Sequence, residues 1–194
     1  MQSQMSAKVD LMKRSSWVKR IGNYFDALDL NQNGFLTLDE FLQLAENLQT
    51  KCKGTPSEIK NLRIALRQFW GAVGFMPGEK ISKLKFIEGF NRLARDEVER
   101  KEAGDKALLE QLTDAFFDIM DANNDGTVTL DELKIFMRAR GLDPNGAEAW
   151  FKLADRDRNG KVERQELFRY EFDFWFRPDL ASSKMFGGAY SGYD

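Results

Sequence analysis

Apolar residues recur every three or four positions over most of the chain, which is the spacing of one face of an α-helix. The first such stripe leads into a polar loop and consists of Trp17, Val18, Ile21, Tyr24, Phe25 and Leu28. Two further stripes have the members Ile59, Leu62, Leu66, Phe69, Trp70 and Val73, and then Leu108, Leu109, Leu112, Ala115, Phe116, Ile119 and Met120. This pattern predicts an all-α protein.

Capping residues mark where several of these helices begin and end. Thr55-Pro-Ser-Glu58 combines an N-cap, a proline at the first helical position and a capping-box glutamate. Gly141 is typical of a helix end, and Asp143-Pro144 is typical of the start of the next helix.

Three polar loops between the helices follow one demanding template. It requires Asp, then Asp or Asn two and four residues later, then Gly, and Glu after five further residues. The three loops are residues 29–40, 121–132 and 155–166, and each matches the twelve-residue calcium loop of an EF-hand. Three matches with every constrained position correct predict a protein that binds Ca²⁺.

The spacing follows from the coordination chemistry of calcium, a hard cation that takes six to eight oxygens at about 2.3–2.6 Å. Positions 1, 3 and 5 offer side-chain oxygens, position 7 a backbone carbonyl, position 9 often a water, and position 12 a bidentate glutamate. The predicted ligands are Asp29, Asn31, Asn33, Phe35, Thr37 and Glu40 in the first loop, Asp121, Asn123, Asp125, Thr127, Thr129 and Glu132 in the next, and Asp155, Asp157, Asn159, Lys161, Glu163 and Glu166 in the last. We therefore predict three Ca²⁺ ions per chain, with Mg²⁺ as a competitor.

A fourth copy of the repeat lies in the middle of the chain and lacks the ligands. Two aromatic residues precede each matched loop, and Phe69-Trp70 repeats this feature, which places loop position 1 at Gly74. Gly74, Met76 and Gly78 then stand at positions 1, 3 and 5, and Lys85 stands where the glutamate should be. A lysine supplies no oxygen and repels the ion. Residues 74–85 are thus predicted to be a non-binding hand that serves as the structural partner of the first, and an ordinary helix–loop–helix is the alternative.

The predicted architecture is four EF-hands in two pairs, compact and globular, with short strands pairing the loops. The apolar residues at loop position 8 suit such strands, and they are Leu36, Ile81, Val128 and Val162. The segment Arg95–Lys106 is charged and poor in apolar residues. We therefore predict an N-terminal pair in residues 1–100 (hand 1 binding, hand 2 degenerate) and a C-terminal pair with a tail in residues 101–194 (hands 3 and 4 binding).

Composition narrows the class of function. The 194 residues carry a net charge of only −2, and no run of like charge marks a nucleic-acid surface. The apolar stretches are too short to span a bilayer, and residues 1–8 lack an apolar signal segment. A single cysteine, Cys52, fits a reducing compartment. We therefore expect a cytoplasmic protein, monomeric, without nucleic-acid or membrane partners.

The chain contains no histidine. This removes the usual general base and any imidazole-based catalytic triad. The conspicuous carboxylates are already assigned to the calcium loops. The sequence therefore predicts a protein that is not an enzyme.

Two segments resemble invertebrate sarcoplasmic calcium-binding proteins. One is residues 15–26 ahead of the first loop, and the other is the end of the chain, with Phe172-Asp-Phe-Trp-Phe176 and then Lys184-Met-Phe-Gly-Gly188. The resemblance implies two globular lobes, a C-terminal tail packed into the core, and Ca²⁺/Mg²⁺ buffering in the cytosol. Calcium-triggered photoproteins and luciferin-binding proteins share this architecture, and in them the apolar interior holds a small aromatic ligand.

These observations leave three functions open. The first, which we favour from the sequence, is a calcium buffer. The second is a calcium-dependent carrier of a small hydrophobic ligand, similar to luciferin-binding proteins. A photoprotein is disfavoured, because that family places histidines around its peroxidised luciferin. The third is a calcium sensor that exposes a methionine-rich groove to a protein target, for which Met76, Met120 and Met137 are the candidate residues.

Overall fold

Eight α-helices and four short strands form the part of the chain that the computed structural model describes, residues 10–29, 31–52 and 54–177. The helices are α1 (Ser15–Leu28), α2 (Leu38–Lys51), α3 (Pro56–Val73), α4 (Lys83–Ala103), α5 (Leu108–Met120), α6 (Leu130–Ala139), α7 (Ala147–Ala154) and α8 (Arg164–Phe176). The strands are β1 (Phe35–Thr37), β2 (Lys80–Ser82), β3 (Thr127–Val128) and β4 (Val162–Glu163), and short 3₁₀ turns cover Leu11–Lys13 and Pro144–Gly146. The predicted all-α class with four EF-hands in two pairs is confirmed.

The helices begin where the capping residues predict. Thr55 caps α3 with its side chain, and Glu58 returns a hydrogen bond to the backbone amide of Thr55. Thr37 and Thr129 form the same reciprocal box with the glutamates at loop position 12, at the starts of α2 and α6. Each box satisfies amides that a helix start leaves without an intrahelical partner.

The strands join the four loops into two pairs. β1 runs antiparallel to β2, with Leu36 opposite Ile81, and β3 runs antiparallel to β4, with Val128 opposite Val162. All four side chains are buried. The predicted pairing through loop position 8 is therefore confirmed, and the ligand-poor loop 74–85 is the structural partner of loop 29–40.

The two pairs pack against each other through one continuous hydrophobic core. Helix α3 packs on α5, α2 on α6, and both α4 and α5 on α8. Helix α1 is joined to α8 by Arg20, which is fully buried and donates a 2.6 Å hydrogen bond to the carbonyl of Phe174. Its guanidinium also lies 4.5 Å from the centre of the Phe174 ring. The first and last described helices are thus held side by side.

A buried carboxylate organises the connection between the two pairs. Helix α4 continues past residue 100 and ends at Gly104, whose φ of 81° favours glycine. Glu97 of α4 accepts hydrogen bonds from the amides of Leu108 (2.9 Å) and Leu109 (2.8 Å) in the first turn of α5. It thereby caps α5 from the preceding helix. The division into units 1–100 and 101–194 stays a prediction.

Some expectations fall outside the described residues. The tail segment Lys184–Gly188 was expected to pack into the core, and it lies outside the described residues. The N-terminal residues 1–8 lie outside them as well. Within residues 10–29, 31–52 and 54–177, no helix has the length and apolar character that a membrane crossing requires.

Candidate metal centres and interior cavity

The first ligand position of each matched loop organises the loop through two backbone amides. Asp29 accepts hydrogen bonds from the amides of Asn33 (3.1 Å) and Gly34 (2.8 Å). Asp121 and Asp155 accept the same two bonds from the amides at loop positions 5 and 6, at distances of 2.8 to 3.1 Å. These three carboxylates are nearly buried, at 7%, 4% and 8% exposure. Each loop is therefore wound around its first carboxylate.

The side chains at positions 3 and 5 turn back onto the backbone of the same loop. Asn31 and Asn33 accept hydrogen bonds from the amides two residues further on, at 3.0 and 2.8 Å. The corresponding residues of the other loops make the same contacts, and they are Asn123, Asp125, Asp157 and Asn159. Three carboxylates of the last loop, Asp155, Asp157 and Glu166, have oxygens that all lie within 4.8 Å of one another. These oxygens could converge on one hard cation.

The glutamate at position 12 folds back toward its own loop. Oε2 of Glu40 lies 2.7 Å from the amide and 2.9 Å from the hydroxyl of Thr37, and Glu132 makes the same two contacts with Thr129 at 2.9 and 2.8 Å. In the last loop, Glu166 accepts hydrogen bonds from the amides of Arg156 and Glu163, both at 3.0 Å. The residue at position 9, which was predicted to be a ligand, thus also helps to orient the glutamate at position 12.

One basic residue of the last loop reaches the neighbouring loop, and another does not. Nζ of Lys161 lies 3.6 Å from Oδ2 of Asp125. A side chain of the last loop thus offsets part of the negative charge of the neighbouring loop. Hydrogen bonds from the hydroxyl and amide of Thr127 lower the pKa of Asp125, and Lys161 adds to this effect. Arg156 instead points away to Asp173 on α8, with a separation of 2.7 Å.

The backbone explains why one of the four loops differs. Loop position 4 has a left-handed conformation in all three matched loops, at Gln32 (φ 54°), Asn124 (56°) and Arg158 (61°). The corresponding residue of loop 74–85 is Pro77, whose ring holds φ near −65°, and the positive φ moves to Gly78 (79°). This loop therefore has a different winding as well as different side chains. Sequence reasoning missed this feature, although the proline was its signal.

A cavity lies in the interior between the two EF-hand pairs. The space open to the centre of a water molecule is about 60 Å³, several times the roughly 10–15 Å³ that one water needs. Its wall is mostly aromatic and aliphatic and includes Tyr24, Phe41, Trp70, Phe90, Phe116 and Trp175. Helical periodicity in the sequence placed Tyr24, Trp70 and Phe116 on apolar helix faces, and an interior that holds a ligand was expected only as an alternative.

One edge of the cavity is polar. Glu171 on α8 accepts a 2.5 Å hydrogen bond from the hydroxyl of Thr113, which is fully buried on α5. Removal from water raises the pKa of Glu171 to about 7, although Thr113 and the nearby Arg140 favour the charged form. Arg140 also lines the cavity, with its guanidinium 5.1 Å from the centre of the Phe116 ring. The interior thus combines apolar walls with a carboxyl group that titrates near neutral pH.

Comparisons with known proteins agree with this architecture. A family model described as an EF-hand domain pair matches residues 18–138 and 109–170. Aequorin-2 from Aequorea victoria is 34% identical over 176 residues, which cover 89% of this chain and 90% of that protein. The crystal structure of the apoaequorin complex with (S)-HM-daCTZ has a TM-score of 0.86 and 30% identity, with 97% of this chain and 99% of that chain covered.

The resemblance to sarcoplasmic calcium-binding proteins is real but more distant. The protein of that name from Perinereis vancaurica tetradentata is 27% identical over 135 residues, 69% of this chain and 74% of that protein. Luciferin-binding protein from Renilla reniformis is 24% identical over 171 residues, 87% of this chain and 91% of that protein. The terminal segments suggested the sarcoplasmic calcium-binding proteins as the subfamily. This prediction is corrected, because the chain is more similar to aequorin-2 than to the sarcoplasmic protein. The chain belongs to the EF-hand calcium-binding proteins and, within them, to the family of aequorin and obelin.

Proposed function

We propose that this protein is a calcium-responsive carrier of a small aromatic ligand, which it holds in the cavity between its two EF-hand pairs. The observation that carries this proposal is the cavity wall, to which aromatic side chains of both pairs contribute. Apolar, concave and mostly aromatic interiors with a few polar groups are typical of small-molecule sites. Binding and release are its activity, without turnover.

The three matched loops supply the calcium response. We assign one Ca²⁺ to each of the loops 29–40, 121–132 and 155–166, through the oxygens of the residues given above. Mg²⁺ competes for the same oxygens, but it is smaller and prefers stricter octahedral geometry. The loop 74–85 offers no carboxylate at positions 1, 3, 5 or 12.

The cavity and the loops share helices, which gives calcium a route to the ligand. Phe41 follows Glu40 directly in α2, and Trp175 lies on α8, the helix that starts within the last loop and carries Glu166. Both aromatic side chains line the cavity. In this proposal, Glu40 and Glu166 exchange their backbone partners for the ion, and the resulting shift of α2 and α8 displaces the cavity wall. Calcium is therefore expected to weaken ligand binding.

Two other functions explain less of the structure. A plain buffer, which we favoured from the sequence, needs no interior cavity, and the crystallised complex of apoaequorin with a small molecule supports a ligand in this fold. A light-emitting photoprotein is favoured by 34% identity to aequorin-2. However, the chain has no histidine to place around a peroxidised ligand.

Coelenterazine, the small hydrophobic ligand that the related photoproteins bind, is the probe that tests the proposal. It is titrated in chelator and in millimolar Ca²⁺, and binding is followed by tryptophan fluorescence. The expected result is one molecule bound per chain in chelator and a Kd at least about tenfold higher in calcium, a difference of about 1.4 kcal/mol. Glu166→Gln should reduce this difference, whereas Glu79→Gln, an exposed change in the ligand-poor loop, should not. Absence of binding in both conditions would leave calcium buffering as the function. Light emitted when calcium is added to the ligand complex would identify a photoprotein.

A further inference from the structure

The indole ring of Trp70 is held in a fixed position in the wall of the cavity. It is 3% exposed and stacks on Phe41, with ring centres 3.7 Å apart and planes inclined by 20°. Phe86 lies on it at 5.9 Å and 25°, and Phe69 meets it edge-on at 5.2 Å. Because several rings confine the indole, its N–H group also has a fixed position.

This N–H group is buried and, among the described residues, has no hydrogen-bond partner. Buried donors in native proteins are almost always paired, since an unpaired one forfeits its bond to water without replacement. The indole of Trp17 shows the usual arrangement, because it donates a 2.8 Å hydrogen bond to the carbonyl of Trp175. Trp70 therefore differs from Trp17 in having a donor that no described residue uses.

We propose that the indole N–H of Trp70 donates a hydrogen bond to the bound ligand and selects aromatic molecules that carry an acceptor. This inference rests on the carrier function proposed above. The acceptor is a carbonyl oxygen, a hydroxyl oxygen or a ring nitrogen at the edge of the aromatic system. An aromatic hydrocarbon of similar size would bury the donor without pairing it, and sites built to make a hydrogen bond discriminate against such analogues.

The polar groups at the edge of the cavity are less suited than Trp70 to donate this hydrogen bond. The carboxyl of Glu171 already accepts a hydrogen bond from Thr113. Arg140 lies over the rings of Phe116 and Phe136. These groups are engaged with the protein, whereas Trp70 lines the cavity and its donor has no partner among the described residues.

Trp70→Phe tests the inference, because it keeps an aromatic ring for stacking and removes only the donor and part of the ring area. The dissociation constant of coelenterazine in chelator should rise about tenfold, as expected for one hydrogen bond. The melting temperature without ligand should fall only by the amount that the lost ring area costs, because no hydrogen bond within the protein is broken. Trp17→Phe is the matched change, and it should lower the melting temperature more than Trp70→Phe does, since it also breaks a hydrogen bond within the protein.

Nitrogen-15 spectra of the four tryptophan indoles provide a direct readout. The Trp70 signal, assigned by its loss in Trp70→Phe, should move downfield when coelenterazine binds. If the wild type binds but Trp70→Phe binds equally well, or the Trp70 signal stays in place, this inference is wrong and the carrier function stands. A fall in the melting temperature of Trp70→Phe without ligand that is as large as that of Trp17→Phe would indicate a partner within the chain and would also overturn it. Failure of the wild type to bind would overturn both proposals.

Discussion

The indole nitrogen of Trp17 lies 2.8 Å from the carbonyl oxygen of Trp175, 158 residues further along the chain. Trp17 is fully buried on α1, and Trp175 lines the interior cavity from α8. This contact and the bond from Arg20 to Phe174 hold the first helix of the N-terminal pair on the last helix of the C-terminal pair. A movement of α8 that begins at the last calcium loop therefore reaches both the cavity and α1.

The stoichiometry and the role of the position-12 glutamates can be tested together by calorimetry. We expect three Ca²⁺ per wild-type chain, because three loops present a full set of oxygens. Glu166→Gln should cripple the last site and leave two ions bound, since an amide cannot give two anionic oxygens. Glu79→Gln, in loop 74–85, should leave all three ions in place. A fourth ion bound within residues 74–85 would contradict this assignment.

The EF-hand loops were predictable from the sequence, because their geometry is local. Ligand spacing, the glycine at position 6 and the apolar residue at position 8 lie within twelve residues, and the pairing of Leu36 with Ile81 follows from the repeat register. The helix start at Thr55 was also predictable, because a capping box involves only neighbouring residues. These elements form as the sequence predicts.

The cavity and the contacts that enclose it were not predictable in the same way. Arg20 is buried on α1, although hydrophobic periodicity alone does not decide whether an arginine there faces solvent or the core. Its partner Phe174 is 154 residues away. Glu97 lies in a charged segment that is typical of an exposed linker. It is nevertheless fully buried, where it caps the following helix, α5. Such features depend on how distant helices pack, and a single sequence carries no direct record of that packing.

Loop 29–40 is expected to be the weakest calcium site. Its ligand positions hold two acidic side chains, Asp29 and Glu40, whereas loop 155–166 has four, and ligand charge is one determinant of affinity. Its strand partner is the ligand-poor loop, so that no second ion in its own pair assists it. The other two loops pair through Val128 and Val162. Loop 29–40 should empty first when calcium is lowered, as followed by site-resolved NMR, and its filling before the others would refute the order.

Glu97→Gln should lower the free energy of unfolding by about 1–2 kcal/mol. The carboxylate accepts hydrogen bonds from two backbone amides, and glutamine can offer only one oxygen for them. Burial raises the pKa of Glu97, and the two amides oppose this effect. Urea unfolding measures the change, with Glu99→Gln as the control because Glu99 is exposed on the same helix. Equal losses in both variants would show that the cap contributes nothing specific.

Glu171 is expected to make the stability of the protein depend on pH between about 5 and 7. Its pKa is about 7 in the folded protein against an ordinary value of 4.5, chiefly because it is removed from water. The folded state therefore holds a proton that the unfolded state has already released in this range, and stability falls as pH rises. The contribution is full below pH 4.5 and lost above pH 7. Allowing for partial exposure, we expect it to be about 1–2 kcal/mol.

Urea unfolding in chelator at pH 5, 6, 7 and 8 separates this effect from the titration of the calcium ligands. Glu171→Gln keeps an acceptor for the Thr113 hydroxyl but has no proton to lose, so it should become more stable relative to the wild type as pH rises from 5 to 7. The difference should level off by pH 8. Both proteins contain the same calcium loops, so their contributions cancel in the comparison. Glu102→Gln, an exposed change on α4, is the control and should follow the wild-type curve. Parallel curves for Glu171→Gln and the wild type would show that Glu171 has the same pKa in the folded and unfolded states.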